Sequence, residues 1–331
     1  MAYLANQYGK NDSLYPKDPK KRAVVDQRLY FDACTLYKSF ADYYVSLKPF
    51  SNFLWPIGTA MSFLNTFLEG QDYVAGKNMT LADLTIVATV STIEVISLKI
   101  LSYQKKKKNY NLISLNNSYF PNVLNYNPAR NALDLYYMPM SSPCRAVLLT
   151  AEAIGITLNL IEINLFEGEH LKPEFEQLNP QKTIPFLVDG DYKLSESRAI
   201  MSYLVDQYGK NVRLNPQTPA DRALVNHRLH FDIGTLYRGM KNYYYPVVFR
   251  GANYNPEYYK VLEDAFDVLD KFLNGQDYVA GRNLTIADLA LAATVSTTEV
   301  YVHHEKKETL IGDLNDGLEI MKRLADNAKK E

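Results

Sequence analysis

The chain has little of what would mark several common protein classes. Only two cysteines, Cys34 and Cys144, occur in 331 residues. That is too few for a disulfide framework and fits a reducing compartment. The formal net charge is −1, so no broad electrostatic draw toward nucleic acid or an anionic membrane surface is implied. No run reaches the roughly 18 apolar residues of a membrane span. The opening residues, MAYLANQYGKNDSLYPKD, hold no apolar core of signal-peptide length. These absences predict a cytoplasmic chain. What is present is an ordinary globular balance, 47% hydrophobic and 22% charged, with 26 tyrosines. The length suggests two or three domains.

An internal repeat organises the chain. YLANQYGKN at Tyr3 returns as YLVDQYGKN at Tyr203. In the same register Arg28, Phe31, Asp32, Thr35, Leu36 and Tyr37 meet Arg228, Phe231, Asp232, Thr235, Leu236 and Tyr237. QDYVAG at Gln71 then returns at Gln276, after the register has slipped by five residues, and ATVST recurs at Ala88 and Ala293. Similarity at a fixed spacing means two copies of one unit. Residues 133–201 have no counterpart before the first copy. The repeated unit reads as helical. Pro219 to about Tyr245 carries an apolar stripe through Ala223, Leu224, Leu229, Ile233 and Leu236, and Pro256 to Phe272 carries Leu262, Phe266, Leu269 and Phe272 at helical spacing. Thr285 with Asp288, and Thr80 with Asp83, resemble capping boxes before nearly all-apolar runs, a folding signal for a buried helix. Between the copies, residues 102–131 hold the lysine run Lys105 to Lys108, many Asn and two prolines, and read as a solvated linker.

The stretch LDLYYMPMSSPCRAV, Leu133 to Val147, reads as a strand that Pro139 ends. Ser141 or Ser142 then caps a helix, Pro143 to Ile154, with Pro143 in its first turn and Gly155 as its stop. A hydroxyl pair thus sits beside free backbone donors and the positive end of a helix dipole, where an anion or a thiolate is stabilised. A plain capping role is the competing reading. A strand at Thr157 to Asn164 follows, then a short helix near Pro173 to Leu178. Ile184 to Val188, the turn at Asp189-Gly190 and Tyr192 to Leu194 read as a hairpin. Ser195 opens a helix closed by Gly209. The order is βαβ, α, ββα, a small α/β layer joined to an all-α bundle.

The segments MPMSSPCR, GEHLKPEF, LNPQKTIPFLVD, LSESRAIMSYL, the block around Asp232 to Tyr237 and YVAGRNLTIADL are collinear over about 200 residues. Together they resemble a cytosolic glutathione transferase of the insect delta/epsilon group. The resemblance implies a fold that is α/β plus all-α: a thioredoxin-like domain followed by the glutathione-transferase helical bundle. Ahead of them stands an additional N-terminal partial helical bundle of the same type, a tandem partial duplication. The expected divisions are an orphan helical domain at 1–101, the linker at 102–131, a thioredoxin-like glutathione-binding domain at 132–210 and a helical C-terminal domain at 217–331.

The resemblance further implies an enzyme of the EC 2.5.1.18 type, joining the thiolate of glutathione to hydrophobic electrophiles in detoxification. Ser141 would donate to the sulfur and favour thiolate over thiol. Glutathione, as co-substrate, would meet His170, Lys182, Thr183, Ile184, Pro185, Glu196, Ser197 and Arg198, with a cis Ile184–Pro185 bond. The electrophile would meet Met138, Ser142, Pro143, Leu165, Tyr237, Met240, Tyr245, Val248 and Phe249, in an apolar cleft between domains. Two positions depart from the family pattern: Met140 stands where Gly is usual before the serine, and Lys182 where His is common. Cys144 is expected as a buried structural thiol. No metal is implied, since His303 and His304 are adjacent and point to different sides of a helix. The expected partners are glutathione and small hydrophobic electrophiles, with no nucleic acid and no membrane. A homodimer is expected unless the N-terminal copy packs where a partner subunit would sit. The alternatives are a glutathione-binding or structural protein with little turnover, and a glutathione-dependent peroxidase.

Overall fold

The computed structural model describes residues 1–9, 11–39, 54–90, 133–210 and 212–305. The expected linker at 102–131 and the final residues 306–331 lie outside the described residues.

The sheet carries the serine turn. Strands β1 (Leu133–Tyr137), β2 (Leu158–Glu162), β3 (Phe186–Asp189) and β4 (Tyr192–Ser195) are ordered β2-β1-β3-β4. β1 runs parallel to β2, pairing Leu135 with Leu160, while β3 is antiparallel to both β1 and β4. The period of two sorts the side chains. Leu133, Leu135, Leu187 and Leu194 face the main core; Tyr136, Phe186 and Val188 face a smaller cluster with Ile163 and Phe175. Helix α5 (Ser142–Ala153) connects β1 to β2, the short α6 (Pro173–Leu178) places Phe175 on the opposite face, and α7 (Ser197–Tyr208) packs against α5. This is a thioredoxin-type sheet domain.

The helical domain follows with α8 (Pro219–Phe231), α9 (Tyr237–Arg250), α10 (Pro256–Leu273) and α11 (Ile286–Glu305). Thr218 caps α8, and Asn255 caps α10. Three arginines fasten the two domains. Arg222 on α8 forms an ion pair with Asp206 on α7 at 2.9 Å. The buried Arg198 on α7 pairs with Asp232. Arg145 on α5 donates to the Ala293 carbonyl at 3.0 Å and to the Thr297 hydroxyl at 2.5 Å on α11.

Ahead of the sheet lie α1 (Ala2–Tyr8), α2 (Pro19–Phe31), α3 (Leu54–Leu68) and α4 (81–90). They share a cluster through Tyr15, Val25, Phe31, Leu64, Phe67, Leu81 and Ile86. Ala23 and Tyr30 of α2 instead join the main core.

One reading needs correction. Ser195 does not open a helix: it pairs with Phe186 as the last residue of β4. Glu196, at φ 70°, then turns the chain into α7. The stretch read as helical from Pro219 to about Tyr245 is helical, but it carries a π turn at Asp232–Leu236, where one extra residue enters the turn, and continues to Arg250 with Pro246 inside it. The equivalent residues Asp32–Leu36 form the same π turn. Periodicity cannot see this device, because it depends on where Asp232 must be delivered.

Candidate functional site

The site is built around the turn leaving β1. Ser141 has extended backbone angles and caps α5, its Oγ lying 3.4 Å from the Cys144 N–H, with Pro143 in the first turn. Its own N–H donates to the Met138 carbonyl at 3.0 Å. Arg145 also donates to the Met140 carbonyl at 3.0 Å. The guanidinium that binds α11 therefore holds the serine turn as well, so the hydroxyl is fixed relative to the helical domain. Met140 is 53% exposed and is not among the positive-φ residues. It turns outward and needs no glycine backbone. Ser142 and Pro143 are buried, and the Ser142 hydroxyl has no hydrogen-bond partner among the described residues. Burial pushes the Cys144 thiol up to about 11, so at neutral pH it is an inert core thiol.

On one side of this turn lies the loop before β3, with polar groups on it and on the neighbouring elements. The Ile184–Pro185 bond is cis, as the resemblance implied. Asn179 donates to the Thr183 carbonyl at 2.8 Å and orders the loop before it. Lys182, at φ 54°, pairs its ammonium with Glu176 at 2.8 Å. His170 is half-buried, and burial lowers its pKa; its Nδ1 has no partner among the described residues.

Glu196 sits at the head of α7 between two buried serines. Burial raises its carboxyl to about 6, against the opposing pull of Arg198 and a hydrogen bond from Gln181. The Ser195 hydroxyl donates to the Gln181 side chain and accepts from the Gln27 amide at 2.7 Å. Arg198 donates to the Ser197 hydroxyl at 2.6 Å and pairs with Asp232. It is only 1% exposed, so it fixes Ser197 from behind.

On the other side lies α9. Tyr237 and Tyr245 are hydrogen-bonded to each other, and both phenols lie close enough to Cys144 and its helix for a charge there to be felt. Burial raises both phenols. The Tyr245 ring lies 5.1 Å from Phe249, and Phe249 lies 5.4 Å from Phe166, in the loop after β2. Phe166, Val248 and Phe249 remain exposed, so an open apolar surface flanks the serine turn. Met138 is buried, and Leu165 packs in the smaller sheet cluster. Met240 is fully buried in the main core, so it backs the α9 wall without lining it.

Four residues with a part in this geometry escaped the sequence reading. Arg145 lay inside a quoted motif but was not singled out. Gln181 and Asp232 act through neighbours, and Gln27 is separated from Ser195 by 168 residues. Only the repeat could have pointed to Gln27, as a position where the two copies differ. Among the described residues no group of three or more His, Cys, Asp or Glu could hold a metal ion, and no helix is long and apolar enough to cross a membrane.

Comparison with known proteins agrees with this architecture. Residues 135–212 match the glutathione S-transferase N-terminal domain, and residues 240–329 the glutathione S-transferase C-terminal domain. A delta-class glutathione transferase of Nilaparvata lugens is 43% identical, over 59% of this chain and 99% of that one, with a TM-score of 0.49. A glutathione transferase of Bombyx mori is 36% identical, over 62% of this chain and 92% of that one, with a TM-score of 0.55. The chain belongs to the glutathione S-transferase family.

Proposed function

We propose that the chain is a cytoplasmic enzyme that conjugates the thiolate of glutathione to hydrophobic electrophiles. The observation that carries this reading is the Ser141 turn. It presents a hydroxyl at the head of a twelve-residue helix, with Arg145 pinning it to the helical domain and the α9 apolar surface beside it. The Ser141 hydroxyl is a rotor that can turn its proton toward a sulfur, and the helix head favours negative charge there. A hydrogen bond to a charged group is worth about 1.5–3 kcal/mol, or roughly one to two pKa units of thiol acidity. The γ-glutamyl end would lie at Glu196 and Ser197, with the cysteinyl backbone at Ile184. The electrophile would meet Tyr237, Tyr245, Val248 and Phe249. Nucleophilic attack then needs little beyond thiolate formation and proximity.

The test is conjugation of a chromogenic aryl halide near neutral pH. Ser141→Ala should lower the rate roughly 10- to 100-fold, with the thiol pKa of bound glutathione rising by about one to two units. Equal rates would remove Ser141 from the mechanism. One observation favours a second reading, glutathione binding with little turnover. The Lys182 ammonium is already paired with Glu176, so a glycyl carboxylate must compete for it. Tight retention on immobilised glutathione, without turnover across several electrophiles, would select that reading.

Residues 1–101 are read as a partial copy of the helical unit, arising by tandem duplication. They contain no serine turn, no Ile-Pro motif and no Ser-Glu-Ser helix head, so they bind no glutathione alone.

A further inference from the structure

Equivalent elements exchange partners across one face of the molecule. α2 packs on α7, and α1 packs on α8. By the sequence repeat, α1 corresponds to α7 and α2 to α8. The two π turns, themselves equivalent, also touch. Tyr30 stacks on its own counterpart His230, with ring centroids 4.7 Å apart and planes 23° from parallel. A contact in which i meets j′ while j meets i′, with one position meeting itself, is the pattern of a two-fold, self-complementary interface. Here both halves belong to one chain.

The face is also sealed. Ala23 and Tyr30 are almost wholly buried in it. Arg22 approaches Asp206 to 3.8 Å, while Asp26 accepts from the Tyr15 hydroxyl at 2.7 Å.

The symmetry fails at one informative position. Gln27 is buried and donates to Ser195, next to Glu196. Its own carbonyl oxygen accepts from Arg28 at 2.5 Å, which fixes the amide's orientation. The counterpart of Gln27 is His227, which is solvent-exposed. Among the described residues the serine of the 133–201 segment is reached by Gln27 and not by His227.

We propose that the N-terminal helices occupy, within one chain, the face that a second copy of the helical unit would take, and that Gln27 is a positioning residue for the Ser195–Glu196 turn. The second half rests on the reading of Glu196 as the γ-glutamyl contact. The first half does not. No second chain docks on this face, and the N-terminal segment completes the site from outside the sheet domain.

Sedimentation equilibrium of the full chain decides the first half: the expected mass is that of one chain, and twice that mass overturns it. For the second half, direct calorimetric binding of glutathione is compared between the wild-type chain and Gln27→Leu. The expected result is about fivefold weaker binding, the scale of one neutral hydrogen bond, with a smaller change in kcat than in the glutathione KM. Gln27→Glu keeps the length but has no N–H to donate, and should give the same loss. Unchanged affinity in both variants, with only the melting temperature lowered, overturns the positioning role. A wild-type chain that binds no glutathione sinks the functional reading and Gln27's role with it, while the mass still decides the interface.

Discussion

The N-terminal helices and the helical domain keep matching internal contacts, and they differ at several positions in what surrounds those contacts. Asp83 accepts from Val74 and Thr80, and Asp288 accepts from Val279 and Thr285, at distances that agree within 0.1 Å. Arg28 and Arg228 each lie 3.5 Å over a phenylalanine ring, Phe67 and Phe272. Arg22 and Arg222 each donate to a proline carbonyl at 2.6 Å. These contacts are all short in sequence or internal to the unit, so they persist wherever the unit folds. Three positions differ in their surroundings. Asp232 pairs with Arg198, whereas Asp32 is hydrogen-bonded to the hydroxyls of Thr85 and Thr89 and has no ion pair among the described residues. Asp26 stands where the second copy has Asn226, and Gln27 where it has His227. The matching contacts are the internal ones, and the differing positions are those whose surroundings differ.

Matched substitutions turn this into an experiment. The largest contrast is expected between Asp232→Ala and Asp32→Ala. The first leaves Arg198 buried without its counter-charge, which costs about 3–5 kcal/mol. The second removes hydroxyl partners of a carboxyl whose pKa burial already raises, at about 1–2 kcal/mol. Denaturant unfolding of both variants measures the difference. Equal losses would mean that the Arg198 pair does not distinguish the copies.

Next is Asp26→Asn, which makes the first copy match the second. Burial raises the Asp26 carboxyl from 3.8 to about 6. The folded state therefore holds this proton more tightly than the unfolded chain does. The resulting stabilisation is fully present below about pH 4 and is lost as pH rises to about 6. Asp26→Asn should remove that loss, shifting the variant-minus-wild-type difference by on the order of 2 kcal/mol between pH 4 and 7. Melting curves across that range check it; a pH-independent difference refutes it.

A third effect belongs to the site itself. Glu196 titrates at about 6 because burial disfavours its charge. Pairing with a ligand ammonium needs the carboxylate. Glutathione affinity should therefore fall as pH drops below about 6, approaching tenfold per unit, and Glu196→Gln should bind weakly with no such dependence. Affinity of the wild-type chain that stays flat from pH 7 to 5 would separate Glu196 from the ligand.

The local devices were legible in the sequence. The Ser141 cap, the prolines at helix starts, the Thr-Asp pairs and the apolar α11 all follow from spacing rules that act within a few residues. The internal repeat was legible too, because it is a comparison of the chain with itself. Three things were not. The π turn at Asp232–Leu236 leaves no mark on the apolar stripe. The end of β4 at Ser195 depends on its ladder with Phe186, and a serine before Glu-Ser reads equally well as a helix cap. The Gln27–Ser195 bond joins residues far apart in sequence, and nothing local to either one announces the other. Met140 and Lys182 drew notice as departures from a pattern. The backbone at Met140 proves ordinary, and Lys182 takes the left-handed conformation and an acidic neighbour.

The smallest expected effect is the most discriminating. His227→Ala removes an imidazole that meets the Arg228 guanidinium at 2.6 Å, so it should cost about 1 kcal/mol of stability, and it should leave glutathione affinity within about twofold. The reason is geometric. Gln27 reaches Ser195 because α2 lies on α7, and the matching approach of α1 to α8 brings His227 no serine turn. If His227→Ala weakens glutathione binding as much as Gln27→Leu does, then the imidazole must reach a Ser195 after all. Within one chain that position is already filled by Gln27. The Ser195 involved would have to belong to a second chain, and the sedimentation mass would double with it.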